Sequence, residues 1–316
     1  MDIRILLLLQ EFRNGAGMVL TGFLSKMTFL GELNSVIVIM ALTYWCVSKE
    51  LGTYLMMGWS GNRLVNGALK VTFCAYRPWI RDARILPYGN SMTTATGYSF
   101  PSGHTMNGAT VFGGGAMRKE LPGFLRVVSG ILVALIAFSR IFLGVHTPQD
   151  VLVGAGAGLL VMFLTLLLMR WIASHPDKDW IVVSVGICLG AALAAYAALK
   201  PYPADYDAEG KRIVDGAKMA NDTFKGIGYC AAFLVGWILE RRFVGISTDI
   251  SMPQKLTRAV VGLLGYYLIS LILSPIIKTW LPGFAGTTIS CFIQMFYVAF
   301  LFPLCAKAME WKPVNA

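Results

Sequence analysis

The sequence predicts an all-α protein, a polytopic transmembrane helical bundle of about nine spans. Two observations carry this prediction. Of the 316 residues, 56% are hydrophobic and only 14% are charged, far outside the usage of soluble globular domains. Many apolar stretches reach roughly 20 residues, the length that crosses the hydrocarbon core of a bilayer. The predicted spans lie near 30–48, 52–73, 103–118, 125–143, 150–171, 180–199, 222–239, 259–277 and 286–306.

The first predicted segment, residues 1–29, precedes the first span. Residues 3–9 are apolar but short, and Glu11 and Arg13 follow them directly. A secretory signal would need a cleavage site of small residues after its apolar run, and none follows here. Two interpretations remain open: an amphipathic helix that lies in the membrane interface, or a lead-in to the first span.

Three further segments are predicted from the placement of polar residues. Residues 30–199 hold six of the predicted spans and all of the polar clusters described below. Residues 200–222 are the most polar stretch, with mixed charges and two prolines, which predicts an extramembrane loop. Residues 223–316 contribute additional transmembrane helices, in which the sequence shows no catalytic-looking cluster.

Composition narrows the possible partners and cofactors. All six cysteines lie within or beside apolar spans, and no CxxC pair or Cys/His cluster occurs, so neither a zinc site nor a disulfide framework is indicated. The net charge of +10 arises from basic residues scattered over the loops. We therefore expect affinity for anionic lipid head groups and for phosphate, and no nucleic acid partner.

The first polar cluster is Lys70, Arg77 and Pro78 at the end of a predicted span. Seven residues make two helical turns, so we predict that Lys70 and Arg77 project from one helix face. Pro78 lacks a backbone N–H and should end that helix. Basic side chains at span ends also commonly extend to lipid head groups, which is the structural alternative for this pair.

The second cluster is Pro101-Ser102-Gly103-His104, which opens a helix. Ser102 is a natural N-cap, and Gly103 lets the backbone come close to a ligand. Free N–H groups and the positive end of the helix dipole favour an anion at such a position. An ordinary capped helix start would leave His104 unexplained, since ionisable groups at membrane depth are usually functional.

The third cluster comprises Ser139, Arg140, His146 and Asp150. Thr147 and Asp150 fit a capping box at the start of the next helix. Asp150 is also spaced to accept the second ring N–H of His146, which would fix the tautomer and orientation of that ring. The two roles of Asp150 are compatible, because one carboxylate has two oxygens.

Together the three clusters resemble the signature of the type 2 phosphatidic acid phosphatase family of integral membrane lipid phosphatases, at that family's spacings and in its order. The resemblance implies a six-helix catalytic core, His146 as the nucleophile that forms a phosphohistidine, and His104 as the general acid and base. The eleven matching positions are Lys70, Arg77, Pro78, Pro101, Ser102, Gly103, His104, Ser139, Arg140, His146 and Asp150.

The chemistry of phosphoryl transfer assigns the remaining roles. Charge on the phosphate oxygens must meet preorganised donors. These would come from Lys70, Arg77, Ser102, the Gly103 N–H and Arg140. Three cations can neutralise the phosphate, so we expect neither a metal ion nor another cofactor.

The predicted activity is metal-independent hydrolysis of a lipid phosphate, with phosphatidic acid-type substrates first. Alternatives that share these residues are a polyprenyl diphosphate phosphatase, a glucose-6-phosphatase-like or sphingosine-1-phosphate phosphatase-like enzyme, and a lipid phosphotransferase. A polytopic transporter is the alternative that is not an enzyme, although its charged residues should spread over both halves of the chain. The expected partners are a phosphorylated lipid substrate and membrane lipids.

Counting the predicted spans in order places all three clusters, and the loop at 200–222, on one side of the membrane. Compact basic turns at Arg118–Lys119 and Arg241–Arg242 lie on the opposite side, which favours the cytoplasm for that side. We therefore predict a multi-pass protein of the cell membrane whose site opens to the extracytoplasmic side. The loop at 200–222 is expected to shape access to this site.

Overall fold

The computed structural model describes residues 2–15, 17–206, 210, 213–308 and 310, and all regular secondary structure in them is helical. No β-strand occurs among these residues, so the predicted all-α fold class is confirmed. The helices are α1 Asp2–Gly15, α2 Gly17–Met27, α3 Leu33–Val47, α4 Lys49–Phe73, α5 Pro78–Arg81, α6 103–117, α7 Gly123–Phe142, α8 Pro148–Ser174, α9 Asp179–Leu199, α10 Gly216–Leu239, α11 Met252–Trp280 and α12 Phe284–Ala308.

Five of these helices are long and apolar enough to cross a membrane: α7, α8, α9 with its preceding turn, α11 and α12. Helices α2 and α3 meet the same criterion together, although the chain bends by 58° between them. The described residues thus hold five spans by this criterion, or six if the bent pair is one span. The chain is a polytopic membrane protein, whereas the predicted number of nine spans is not confirmed.

The other three predicted spans correspond to α4, α6 and α10, which fall short of the criterion. Helix α6 is short, and α4 and α10 carry polar residues on their buried faces. Asn62 Nδ2 of α4 donates to Thr110 Oγ1 of α6 at 2.6 Å, and Trp59 Nε1 donates to Asn107 Oδ1 at 3.0 Å. These helices are stabilised by polar contacts with other helices, which a hydropathy average does not detect.

Four of the apolar spans, α7, α8, α9 and α11, face mostly outward. Only between 11% and 28% of the residues in α7, α8, α9 and α11 are buried inside the protein. Large apolar side chains such as Leu164, Leu189 and Leu271 are exposed on them. An extended apolar surface of this kind is expected where bilayer lipid is the solvent.

The hydrophobic core lies where α3, α4, α10 and α12 meet. The Trp45 ring packs on Phe302 with 4.4 Å between centroids, and its Nε1 donates to the Val298 carbonyl at 2.9 Å. Trp59 and Phe233 are also fully buried in this cluster. The C-terminal helices are therefore packed into the body of the protein.

A pair of glycines on α8 and a single glycine on α9 mark close approaches between helices. A Cβ on Gly154 of α8 would lie 2.9 Å from the Ser102 carbonyl, and one on Gly158 would lie 2.8 Å from the Ala109 Cβ. A Cβ on Gly186 of α9 would lie 2.3 Å from a Leu234 methyl group. Small residues let these helices pack closely, and the pair on α8 holds that helix against the start of α6.

The N-terminal helix α1 lies against the end of α7. Arg13 is buried, and its guanidinium donates to the carbonyls of Phe142 at 2.9 Å and Leu86 at 2.7 Å. Because Phe142 ends α7 and Leu86 lies in the segment between α5 and the second cluster, α1 packs at the same end of the bundle as the polar clusters. Residues 2–15 are helical.

Candidate active site

The three polar clusters converge at one end of the bundle, where α4 and α7 end and α6, α8 and α10 begin. They surround a cavity of about 290 Å³. Five of the predicted site residues line it directly, namely Lys70, Arg77, Gly103, His104 and His146. The other three, Ser102, Arg140 and Asp150, are buried around it.

His146 lies in the turn between α7 and α8, where Gly144 adopts a positive φ of 76° that a side chain would disfavour. Its Nε2 is 2.9 Å from Arg77 Nη1, and its Nδ1 is 3.3 Å from Asp150 Oδ2. Since an arginine N–H can only donate, Nε2 must accept and the proton lies on Nδ1. Burial, and then the charge of Arg77, lower the pKa of His146 well below its usual value. The ring is therefore neutral at pH 7, with its lone pair on Nε2.

Asp150 makes the contacts that both of its predicted roles require. Its Oδ2 accepts hydrogen bonds from the Thr147 N–H at 2.8 Å and from Ser99 Oγ at 2.6 Å, and it also faces His146 Nδ1. Thr147 Oγ1 accepts from the Asp150 N–H at 3.3 Å, which completes the capping box. One oxygen thus joins the helix cap to the histidine ring.

Arg77 is placed differently from the sequence prediction. Helix α4 ends at Phe73, and Cys74 adopts a left-handed conformation with φ of 48°, so Lys70 and Arg77 do not share a helix face. The chain leaves α4 before Pro78, which instead begins α5 with Arg77 as its N-cap residue. The prediction of one shared face is therefore wrong, although both side chains reach the same cavity.

The Arg77 guanidinium is held by backbone carbonyls. It donates to Thr96 at 2.8 Å, to Gly97 at 3.0 Å and to Val145 at 3.1 Å, besides its contact with His146. Burial lowers the pKa of Arg77 to about 10, so it stays protonated at neutral pH. Three carbonyls and one ring nitrogen thus orient a cation directly in front of the histidine lone pair.

Lys70 and the start of α6 also line the cavity. Lys70 is buried and its Nζ donates to the Tyr98 carbonyl. Ser102 is the N-cap of α6, and its Oγ accepts from the Thr105 N–H at 3.4 Å. The Gly103 N–H lies in the first turn, where backbone N–H groups have no partner within the helix, and with the positive end of the helix dipole it favours an anion in the cavity.

His104 and Arg140 present unused hydrogen-bonding atoms. Arg140 donates through Nη1 to Thr28 Oγ1 at 2.6 Å, whereas its Nε and Nη2 are buried without a partner among the described residues. His104 Nε2 is buried in the same state. A buried polar atom without a partner costs about 1–3 kcal/mol, so these atoms are more stable when an oxyanion is bound.

Several residues of the site were not identified from the sequence. Ser99 binds Asp150, and Asn66 of α4 donates to the Pro101 carbonyl at 3.3 Å while lining the cavity. Asp222 and Lys225 of α10 also line it, which brings the second half of the chain into the site. The spacing of Asn66 and Lys70, one helical turn, was a usable signal. Asp222 and Lys225 gave none, because they are distant in sequence from every motif.

The loop predicted at 200–222 lies beside this end of the bundle. Tyr202 stacks on Tyr98 with 6.4 Å between ring centroids, and Tyr76 donates to Asp205. Helix α10 already begins at Gly216, within the stretch predicted as loop. The described part of the loop thus contacts Tyr76, next to Arg77, and Tyr98, whose carbonyl accepts from Lys70.

Two family models match the chain. Residues 33–174 match the PAP2 superfamily, and residues 224–312 match the transmembrane extension of PAP2 superfamily phosphatases. Together these two ranges account for more than half of the chain. The first range contains every predicted site residue, and the second contains Lys225.

Named proteins are similar over parts of their length. Phosphatidylglycerophosphatase B of Bacillus subtilis is 34% identical over 121 residues, which are 36% of this chain and 55% of that protein. Undecaprenyl-diphosphatase of Sulfolobus acidocaldarius is 34% identical over 71 residues, 22% of this chain and 34% of that protein. The chain thus spans between about a third and just over half of these relatives. A crystal structure of a transmembrane PAP2-type phosphatidylglycerolphosphate phosphatase from Bacillus subtilis is 28% identical, covers 54% of this chain and 85% of its own, and superposes with a TM-score of 0.45.

Proposed function

This chain belongs to the PAP2 superfamily, and on that basis we propose that it is a metal-independent membrane phosphatase that hydrolyses lipid phosphates through a phosphohistidine intermediate. One observation carries the proposal: His146 faces Asp150 through Nδ1 at 3.3 Å and Arg77 through Nε2 at 2.9 Å. A neutral imidazole held in this way has its lone pair directed at the cationic end of the cavity. This is the state in which a histidine attacks phosphorus.

In the first half of the reaction, His146 Nε2 attacks the phosphorus atom while Nδ1–H donates to Asp150. The P–N bond forms as the P–O ester bond breaks, and the leaving alkoxide takes a proton from His104, which the negative charge of the bound phosphate holds in its imidazolium form. The hydrogen bond that Arg77 gives to Nε2 passes to a phosphate oxygen. Arg77 thus protects the lone pair in the free protein and stabilises the charge of the transition state in the complex.

In the second half, the now neutral His104 accepts a proton from water, and the resulting hydroxide attacks the phosphorus atom. The P–N bond breaks, the electron pair of that bond returns to His146 Nε2, and inorganic phosphate leaves. Both histidines are then back in their starting protonation states. His104 acts first as acid and then as base, as microscopic reversibility allows.

Charge neutralisation is assigned to three buried cations, Lys70, Arg77 and Arg140, with the N–H of Gly103 at the capped start of α6. The spare donors of Arg140 and the unpartnered Nε2 of His104 support this assignment. Bidentate arginine contacts suit the tetrahedral phosphate oxygens. With these cations in place, the reaction needs no metal ion to stabilise the phosphate.

Phosphatidic acid-type lipids, which carry one terminal phosphate, are the first substrate class. Similarity to the undecaprenyl-diphosphatase of Sulfolobus acidocaldarius favours a second class, polyprenyl diphosphates. In both classes the bond that breaks belongs to a terminal phosphate on a membrane-anchored lipid. We place the site on the extracytoplasmic side of the cell membrane, because the compact basic turns at Arg118–Lys119 and Arg241–Arg242 lie at the other end of the bundle.

Phosphate release by the purified protein in mixed micelles tests the proposal. The panel comprises phosphatidic acid, lysophosphatidic acid, sphingosine-1-phosphate, phosphatidylglycerophosphate, polyprenyl diphosphate and glucose-6-phosphate, all with EDTA present. We expect release from at least one lipid phosphate, and inhibition by vanadate, which adopts the five-coordinate geometry of the transition state. Activity that disappears in EDTA and returns with Mg²⁺ would contradict metal independence.

The covalent intermediate has its own test. With labelled substrate and rapid quenching, the protein should retain an acid-labile, alkali-stable phosphate on histidine. The His146→Ala variant should retain none and should release less than a few per cent of the wild-type phosphate. A folded His146→Ala variant with substantial activity would refute the assignment of the nucleophile.

A further inference from the structure

The segment between α5 and α6 holds the Arg77 guanidinium through two adjacent residues. Arg77 donates to the carbonyl of Thr96 at 2.8 Å and to the carbonyl of Gly97 at 3.0 Å. Thr96 is exposed, and Gly97 has a positive φ of 73°, so neither residue is restrained by its own burial or side chain alone. The contacts that fix this Thr96–Gly97 bend therefore also fix the guanidinium.

Helix α10 contacts the bend through Asp222. The Thr96 hydroxyl donates to Asp222 Oδ2 at 2.9 Å and lies 3.2 Å from Oδ1. A Cβ on Gly97 would lie 2.8 Å from Asp222 Oδ2 and 3.3 Å from the Met219 carbonyl. One carboxylate thus lies against both residues whose carbonyls hold Arg77.

Asp222 is itself fixed by the packing of α10 on α4. Lys225 Nζ donates to Asp222 Oδ1 at 2.7 Å, and Arg63 Nη2 of α4 donates to the Asp222 backbone carbonyl at 3.3 Å. A Cβ on Gly226 would lie 3.0 Å from the Arg63 carbonyl, so the two helices touch at this point. The position of the carboxylate is therefore set by two packed helices, and the exposed bend is attached to them.

The charge of Asp222 also acts on Arg77. Burial lowers the pKa of Arg77 to about 10, and the negative charges of Asp222 and Asp150 act in the opposite direction. Asp150 contacts His146, whereas Asp222 contacts the Thr96–Gly97 bend. The buried cation thus has one carboxylate near each of the two segments that hold it, which favours its charged form.

We propose that Asp222 is a positioning residue for the phosphatase reaction, which fastens the Thr96–Gly97 bend to α10 and so keeps the Arg77 guanidinium in front of His146 Nε2. Asp222 acts through Arg77 and not on the phosphate, because a carboxylate repels an anion. The inference rests on the proposed function. It makes α10, the helix on which the match to the transmembrane extension begins, a part of the active site.

Kinetic coupling between Asp222 and Arg77 tests the inference. Asp222→Ala removes the acceptor of the Thr96 hydroxyl, and kcat/KM on one lipid phosphate should fall about 10- to 100-fold, as for a displaced catalytic group. In an Arg77→Gln background there is no guanidinium to position, so the same substitution should lower kcat/KM less than about twofold further. Where turnover is too slow to measure, the rise in unfolding temperature caused by vanadate gives the same comparison. Equal losses in the two backgrounds would overturn the inference.

Two conservative variants test the hydrogen bond without disturbing the helix packing. Asp222→Asn keeps an oxygen for the Thr96 hydroxyl, so kcat/KM should stay within about fivefold of the wild-type value. Thr96→Val removes the hydroxyl from an exposed position and leaves the carbonyl that holds Arg77, and it should lower kcat/KM at least about fivefold. Wild-type activity in Thr96→Val, or a loss in Asp222→Asn equal to that in Asp222→Ala, would refute the positioning role.

Thr223→Ala is the matched control for packing. Thr223 is the next residue on α10, is buried, and donates from its hydroxyl to the Gly67 carbonyl of α4 at 3.3 Å. Its loss should lower the unfolding temperature in detergent but change kcat/KM less than about twofold, because Thr223 makes an interhelical hydrogen bond away from the bend. If Thr223→Ala lowered kcat/KM as much as Asp222→Ala, the effect would be one of helix packing, and the inference would fail.

The outcomes separate this inference from the proposed function. If the wild-type protein releases phosphate from a lipid and Asp222→Ala keeps more than half of its kcat/KM, the positioning role is refuted and the phosphatase assignment stands. If the wild-type protein releases phosphate from no lipid phosphate, the proposed function itself fails.

Discussion

Replacing Asp150 with Asn separates the two roles that one carboxylate oxygen performs. The carboxamide oxygen of Asn can still accept from the Thr147 N–H, which lies 2.8 Å from Asp150 Oδ2, so the helix cap should survive. The negative charge beside His146 Nδ1, now 3.3 Å away, is lost. We therefore expect a large loss of activity with a small loss of stability.

The magnitudes follow from these contacts. The same substitution in the serine protease triad lowers kcat about 10⁴-fold, or about 5 kcal/mol of transition-state stabilisation. We expect a fall of about 10³ to 10⁴ in kcat/KM here, because Asp150 stabilises the positive charge that develops on the attacking imidazole. The stability cost is the lost attraction between a carboxylate and the start of α8, about 0.3–1 kcal/mol.

Thr147→Ala is the matched control. It removes the hydroxyl that caps α8, at 3.3 Å from the Asp150 N–H, and should cost about 1 kcal/mol of stability. Because Asp150 still faces His146, kcat/KM should fall less than about fivefold. Thermal unfolding in detergent and phosphate release on one lipid substrate measure both quantities. If Asp150→Asn kept more than about a tenth of the wild-type kcat/KM, the carboxylate would be a helix cap and not an orienting partner of the histidine.

Three further outcomes are expected. His104→Ala should lose far more activity on a lipid phosphate than on nitrophenyl phosphate, whose leaving group needs little protonation, and an equal loss would exclude His104 as the acid. Since burial and then Arg77 lower the pKa of His146, the acid limb of kcat/KM should lie below pH 6.5. Arg77→Gln should move that limb to higher pH on the same substrate, and no shift would contradict the assignment. Replacing residues 204–214, which precede α10 and its N-cap Asp215, with a short Gly/Ser linker should change relative rates across the substrate panel, whereas unchanged ratios would identify the loop as a simple connector.

The helix caps and close helix contacts were readable from local sequence. Ser102 caps α6, and Thr147 and Asp150 form the capping box of α8, as predicted. Gly154 and Gly158, four residues apart, pack on α6. Each of these features depends on residues within one turn or on a four-residue repeat. Such patterns can be recognised in the sequence without knowledge of the rest of the fold.

The sequence prediction failed where the backbone departs from its local tendency. The spacing of Lys70 and Arg77 suggested one helix, but Cys74 turns the chain out of α4 with a positive φ. Positive φ is rare for residues other than glycine, and its cost of about 1 kcal/mol is tolerated only when tertiary contacts fix the segment. Here three carbonyls from distant loops hold Arg77.

By itself, the sequence determined the all-α class, the membrane as solvent and the residues Lys70, Arg77, His104, His146 and Asp150, because composition and motif spacing are local properties. Only the tertiary structure decided which other groups join them. Ser99 reaches Asp150 at 2.6 Å, and α10 brings Asp222 and Lys225 to the cavity wall from more than seventy residues beyond the last motif. No periodicity encodes such a contact, because it arises from the packing of two helices through glycines far apart in the chain.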